Sequence, residues 1–185
     1  MKLYLITGKA ETGKSTLGGF LKDHLKDKDY NACIMQITST LYHYAEDYFF
    51  WDKKANEKPR EFLQNLGIEI IREKQNKKDF LINRTIEDIE ILSEFFDTFI
   101  ITDIRFQEEI DKFKSKFKDV VVIKVERNNY NNSLTNKERN HITEKEVDRI
   151  TNINYLVENT SLKELKQKAK YIIDTEEDDL IIWKT

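Results

Sequence analysis

Short apolar runs and amphipathic stretches alternate along the chain, and most changes of period fall at a residue that ends one element and starts the next. Leu3 to Thr7 is an apolar run that stops at Gly8; after a loop, Leu17, Phe20, Leu21 and Leu25 keep helical spacing. Ala32 to Ile37 is a second strand candidate, and Leu41, Tyr44, Ala45 and Tyr48 mark a following helix. Pro59 stands where a first helical turn begins, because a helix start has no use for the N–H that proline lacks. Phe62, Leu63, Leu66 and Ile70 follow at spacings of three and four. Ile82, Ile86, Ile89, Leu92 and Phe96 line one side of a long amphipathic stretch. It leads to Thr98-Phe99-Ile100-Ile101-Thr102-Asp103, a buried strand closed by an acid. A helix from about Glu108 to Phe117 precedes Val120 to Val125, the most strand-like segment. From Arg127 to Asn140 periodicity is lost among Asn, Lys and Arg, which predicts a mobile surface loop. Ile153 to Val157 gives a fifth strand, and Ser161 is placed to cap a helix running to about Ile173, with Glu164 at the capping-box position. The tail from Asp178 to Thr185 is ambiguous.

Strands alternating with helices predict an α/β fold of three layers: a five-stranded parallel sheet, helices on both faces, and ligands at the carboxyl ends of the strands. The 185 residues suffice for one such domain and not for two with a linker, so 1–185 is read as one domain. Charged residues make up 35% of the chain, apolar ones 39%, and the net charge is -3. That balance describes a soluble protein and lacks the basic excess that would grip a nucleic-acid polymer or an anionic membrane. Cys33, the single cysteine, cannot form an internal disulfide, and a reducing interior suits it. No apolar run approaches the roughly 20 residues needed to cross a bilayer. The opening Met1 to Ile6 runs into a glycine loop instead of a leader cleavage region. The expectation is a cytoplasmic protein with neither membrane nor nucleic-acid polymer as partner, and with homodimerisation left open.

Gly8-Lys9-Ala10-Glu11-Thr12-Gly13-Lys14-Ser15 matches the pattern G-x-x-x-x-G-K-[ST] in full, between a strand and a helix. Glycines let the backbone curl so that successive N–H groups point at a phosphate, and the following helix adds its positive end. The segment Gly8 to Thr16 is therefore read as the ATP phosphate site of a P-loop NTPase fold. Lys14 would reach the β- and γ-phosphates and the Ser15 hydroxyl would join the shell of Mg²⁺, the expected cofactor. Asp103 would be costly at the end of a buried strand unless it met a cation or hydrogen-bond donors, which makes it the second metal candidate. A turn or N-cap aspartate is the plainer alternative.

Three further segments resemble one family. Asp103-Ile104-Arg105-Phe106, with Glu108 or Glu109 and Ile110, looks like the D-x-R-F-x-x-E element of deoxynucleoside monophosphate kinases of phages and some bacteria. Arg60 to Glu69, followed by Arg72, resembles the family's R-x-x-L-Q-x-L-G-x-E-x-x-R helix, and His141-Ile142-Thr143-Glu144 is similar to its H-x-S-E motif. With the phosphate loop these span residues 8 to 159 in the family's order. The departures are Thr143 for serine and Lys14-Ser15-Thr16 where aspartate often follows the lysine.

The resemblance implies an ATP-dependent kinase acting on a (deoxy)nucleoside monophosphate. Arg60, Gln64, Glu69, Arg72, Arg105, His141 and Glu144 would serve the acceptor, from a helical region of about 39–96. Arg105 would contact its phosphate or the transferring group, since a guanidinium fork matches phosphate oxygens. A solvated helix face with an Arg72 to Glu69 ion pair is the alternative for that helix. Kinases of this architecture close a lid, here about 127–145, which offers Arg139 to the developing charge and Arg127 to ATP. Lys14, Asp103, Arg105 and Arg139 form the expected catalytic set. His24 and His43 lack clustered ligand partners, so no zinc site is expected. The aromatic cluster Tyr42, Tyr44, Tyr48, Phe49, Phe50 and Trp51 either stacks on a base or belongs to the core. A phosphomevalonate- or dephospho-coenzyme A-type kinase, or a P-loop switch without acceptor, are the rival readings.

Overall fold

The computed structural model describes residues 1–52, 59–128 and 133–182, with side chains as far as 177. The strands are β1 (Lys2–Thr7), β2 (Ala32–Met35), β3 (Thr98–Ile104), β4 (Val120–Glu126) and β5 (Tyr155–Glu158), all parallel in the order β2-β3-β1-β4-β5. The helices are α1 (Lys14–Lys26), α2 (Ser39–Phe49), α3 (Arg60–Gln64), α4 (Phe80–Leu92), α5 (Gln107–Lys116), α6 (Asn136–Arg139), α7 (Ile142–Lys145) and α8 (Leu162–Ile182).

The alternation of side chains along the strands divides the core into two layers. Tyr4, Ile6, Ile100, Ile123 and Val125 face α1 and α8, where Leu17, Leu21, Leu165, Ala169 and Ile172 cover them. Leu3, Leu5, Phe99, Ile101 and Val122 face Ile82, Ile86 and Ile89 of α4 and Ile110 and Phe113 of α5. The expected five-stranded parallel sheet with helices on both faces is therefore the observed one. A third, smaller cluster of Leu41, Leu63 and Ile71 lies under the helical region, outside the sheet.

Three segments differ from their apolar pattern. After α3 the chain continues as a π-helix over Asn65–Lys74, where Gln75 N–H reaches back five residues to the Ile70 carbonyl at 2.9 Å. The buried positions of α3 and this segment are Leu63, Gly67 and Ile71, whereas Phe62 and Leu66 are half-buried and Ile70 is exposed, so the apolar face expected from Phe62, Leu63, Leu66 and Ile70 is only partly the observed one. α8 continues past Ile173 because its polar last turns are held by charge: Lys28 pairs with Asp174 at 2.8 Å and Lys2 with Glu176 at 2.7 Å. The stretch expected to be featureless after Arg127 contains α6, capped by Thr135, whose N–H and hydroxyl both donate to Glu138 at 2.7 Å. Residues 53–58 of the expected acceptor region, 129–132 of the expected lid and the side chains of the tail from 178 lie outside the described residues. Among the described residues no helix is long and apolar enough to cross a membrane.

Phe113 is fully buried between α5 and the sheet and fixes the helix that follows Arg105. Phe113→Ala is expected to lose about 3–5 kcal/mol of unfolding free energy, read as a lower urea midpoint. An unchanged midpoint would mean that α5 does not depend on this contact.

Candidate active site

The glycine loop leaves β1 at Thr7, whose hydroxyl donates to the Ile104 carbonyl at 3.0 Å and so ties the ends of β1 and β3. Gly8 has φ +148, and a Cβ there would lie 2.3 Å from the Val125 carbonyl oxygen. Gly13 has φ +102, with a Cβ position 2.4 Å from the Asn159 side-chain nitrogen. Both conformations suit glycine and exclude a side chain. Between them the loop holds itself by Thr12 Oγ1 donating to the Lys9 carbonyl at 3.0 Å and Lys14 Nζ to the same carbonyl at 2.5 Å. Asn159, which follows β5, donates to the Thr12 carbonyl at 2.8 Å.

Two cavities meet at this loop. A groove is lined by Glu11, Gly13, Lys14, Ser15, Thr16, Arg127 and Asn159. A cleft is walled by Leu41, Tyr42, Leu63, Ile68, Leu81 and Phe106. Its polar lining includes Ala10, Glu11, Lys14, Ser15, Thr38, Arg60, Gln64, Asp103, Arg105, Glu109 and Glu144. Glu11, Lys14 and Ser15 belong to both. The Ser15 hydroxyl has no hydrogen-bond partner among the described residues.

The carboxylates around the cleft each hold a donor. Asp103 Oδ1 accepts the Ile37 N–H at 2.8 Å, and Oδ2 accepts the Thr38 N–H at 3.1 Å and hydroxyl at 2.6 Å. Glu11 accepts from the Ser133 side chain and N–H and from Arg60 at 2.7 Å. The Ser133 and Arg60 bonds hold its carboxyl down at about 2. Glu144 bridges Arg105 Nη1 at 2.7 Å and the Ala10 N–H at 2.9 Å. Glu109 Oε2 takes the N–H groups of Arg105 at 2.8 Å and Phe106 at 3.1 Å. Burial pushes the Glu109 carboxyl up to about 7, with Asp103 adding to the rise, although those two N–H donors and Arg72 oppose it.

Of the residues expected at the site, Lys14, Ser15, Arg60, Gln64, Asp103, Arg105 and Glu144 come together in the cleft, and Arg127 lies with the loop in the groove. Gly8, Lys9 and Thr12 shape the loop without lining either cavity. Arg72 lies on a small recess beside the cleft, paired with Glu108 instead of Glu69 and stacked 4.4 Å over the Phe106 ring. Glu69 faces His141 Nε2 at 3.6 Å, and His141 caps α7 by accepting the Thr143 N–H at 3.4 Å; neither lines the cleft. Arg139 ends α6 and lines neither cavity. The aromatic cluster divides: Tyr42 walls the cleft, while Tyr48, Phe49 and Phe50 point outward. Asn159, Thr38 and Ser133 carried no motif, because what they touch is set by contacts distant in sequence. Among the described residues no group of three or more His, Cys, Asp or Glu could hold a metal by itself.

A family model described as deoxynucleotide monophosphate kinase matches residues 47–169, about two thirds of the chain. The chain belongs to this family. It is a nucleotide kinase, a phosphotransferase whose acceptor is a monophosphate. The match begins after the phosphate loop, so the loop at 8–15 is an independent sign of the same chemistry. Solved kinases share the fold at low identity. The APS kinase CysC of Mycobacterium tuberculosis is 13% identical, with 95% of this chain and 96% of that one covered and a TM-score of 0.56. A gluconokinase from Sinorhizobium meliloti is 10% identical, with 100% and 98% covered and a TM-score of 0.54. No curated protein sequence matches the chain.

The Glu109 carboxyl gives the deoxynucleotide-kinase fold a pH dependence of definite sign. Between its ordinary 4.5 and about 7 the folded protein keeps a proton that the unfolded chain has released, so stability falls as pH rises through that window. Glu109→Gln has no such penalty. Its stability relative to the parent should therefore improve between about pH 5 and about pH 8, by at most on the order of 3 kcal/mol, measured by urea unfolding. A difference that stays constant with pH would show that Glu109 titrates alike in both states.

Proposed function

We propose that the enzyme transfers the γ-phosphate of ATP to a deoxynucleoside monophosphate, with ATP in the groove beside Arg127 and the acceptor in the cleft between α2, α3 and the end of β3. One observation carries this reading: Lys14 and Ser15 line both cavities, so a phosphate-bearing ligand in each would meet the other at the same loop. The acceptor cleft supports it with apolar residues that suit a base, Leu41, Tyr42, Leu63, Ile68, Leu81 and Phe106, and with Arg60, Gln64 and Arg105 among its polar lining.

Phosphoryl transfer asks for alignment and for neutralisation of charge spread over the transferring oxygens, and for little covalent work. Lys14 serves the β- and γ-phosphates, Arg105 the transferring group or the acceptor phosphate, and Arg60 and Gln64 the acceptor. A phosphate acceptor is ionised enough to attack, so no general base is assigned. Arg139 is the proposed lid cation, brought to the site when the segment 133–145 closes further.

The donors present suit Mg²⁺. Ser15 offers an exposed hydroxyl, and Asp103, whose oxygens already accept three hydrogen bonds, has capacity left for a water-mediated contact better than for direct ligation. Ser15 and, through water, Asp103 would hold Mg²⁺ beside the nucleotide phosphates. When bound it would neutralise charge on the β- and γ-phosphates.

The test is ADP release from ATP and Mg²⁺ against a panel of deoxy- and ribonucleoside monophosphates, with phosphomevalonate and dephospho-coenzyme A included. Stimulation by deoxynucleotides is expected. Silence across the nucleotides with response to another acceptor, or hydrolysis indifferent to any acceptor, would overturn the reading. Lys14→Ala should lower transfer by about 100-fold or more with the fold intact. Arg105→Ala should lower kcat by a similar factor while ATP binding changes little. Unaltered turnover in either variant would remove that residue from its role.

A further inference from the structure

The side chain of Glu144 is one of the few charged groups that the fold buries, at 6% exposure, and its two oxygens serve different parts of the site. Oε1 accepts from Arg105 Nη1 and Oε2 from the Ala10 N–H, while the same Arg105 nitrogen also donates to the Gly8 carbonyl at 3.3 Å. The phosphate loop, the end of β3 and the start of α7 are thus closed into one ring of hydrogen bonds. An acceptor-binding role, which the motif resemblance implies, fits this carboxylate poorly. Nucleotide phosphates carry its own sign, and both of its oxygens already have donors. Its contacts describe a different service: a guanidinium on a long stem has much rotamer freedom, and a group that must meet a developing charge works best when already ordered.

We propose that Glu144 is the positioning residue of Arg105, setting its guanidinium against the phosphate loop before either nucleotide arrives and linking that setting to α7. The proposal rests on Arg105 acting on the transferring or acceptor phosphate, as in the proposed function. The charge-assisted bond to Arg105 is of the stronger kind, and the bond to Ala10 makes the placement of Arg105 depend on the shape of the loop. A neutral amide cannot reproduce both contacts. In Glu144→Gln one end of the side chain becomes an NH₂ donor, so whichever way it turns, a donor faces either Arg105 or the Ala10 N–H.

The experiment is a double-mutant cycle on kcat and KM with the acceptor found best for the parent enzyme. Glu144→Gln is expected to lower kcat at least about tenfold with acceptor KM changed less than about threefold. In an Arg105→Ala background it should lower kcat less than about twofold further, because a positioning residue has nothing left to position. Unchanged kcat, a rise confined to acceptor KM, or an equal fall in the Arg105→Ala background would each overturn the proposal. The second would make Glu144 an acceptor ligand. Should Glu144→Gln fail to fold, Glu144→Asp takes its place in the same cycle, since it keeps the charge but is one methylene too short to span both donors. If the parent transfers to no nucleotide, the proposed function fails separately. The positioning claim is then read from the ¹⁵N-edited resonances of the Arg105 guanidinium: slow rotation in the parent and its loss in the variant support the claim, and identical spectra overturn it.

Discussion

The phosphate loop keeps its shape because no side chain fits where its two glycines stand. The Gly8 backbone passes so close to β4 that a Cβ would meet the Val125 carbonyl, and Gly13 passes so close to Asn159 that a Cβ would meet its amide. Those close approaches let the loop be gripped from outside. Asn159 holds the Thr12 carbonyl, and Arg105 reaches the Gly8 carbonyl from the far side. Glu11, at φ +62, takes a left-handed conformation that a non-glycine residue seldom adopts, and it does so while bound to Arg60 and Ser133. The loop is therefore a shared support between β4, the residue that follows β5, the end of β3 and Ser133. Lys14 and Ser15 inherit their positions from it, being the first residues of α1.

A site for phosphates that surrounds itself with carboxylates looks contradictory until each carboxylate's partner is named. Glu144 holds Arg105, Glu11 holds Arg60, Glu109 holds the backbone on either side of the Arg105–Phe106 bond, and Asp103 holds the turn at Ile37 and Thr38. In three of the four the partner is the cation itself or its own backbone. The acids thus order the cationic donors at the cleft and in doing so balance their charge, so the cleft is not a cluster of repelling cations. Glu109 has the least compensation. It is half-buried at the cleft with only backbone donors on Oε2, and loss of solvent around its carboxyl raises it.

The sheet and its covering helices were legible because their cause is local: five apolar runs of strand length and amphipathic stretches of helical spacing suffice to predict three layers. The phosphate loop was legible for the same reason, since its chemistry lies within eight consecutive residues. The cleft was legible only in part. Arg60, Gln64 and Arg105 reached it as the motifs suggested, but Arg72, on the same helical segment, did not. The segment changes to π geometry after Gln64, so a face computed at 3.6 residues per turn drifts off line by residue 72. The choice between Glu108 and Glu109 also needed coordinates. Glu109 stands three residues after Phe106 and closes back on the N–H groups ahead of α5, which leaves Glu108 outside for Arg72. Asn159 had no local signal, because its partner lies 147 residues away in sequence. Thr135 and Glu138 did have one, a T-x-x-E capping box within a stretch whose polarity suggested only a loop.

The segment 133–141, whose Leu134 lines the cleft, is tied to the rest mainly by polar contacts. Ser133 reaches Glu11, Lys137 pairs with Glu61, and His141 faces Glu69, with Leu134 the one buried apolar side chain among its described residues through Arg139. Exposed ion pairs of the Lys137–Glu61 kind contribute little to stability and weaken with salt. Such contacts bias a segment toward one arrangement without locking it there, which a kinase needs if nucleotides are to enter and leave by the same route. Glu144 is the exception, buried just past this stretch and bonded to both the loop and Arg105. The weak contacts therefore precede a firm one along the chain.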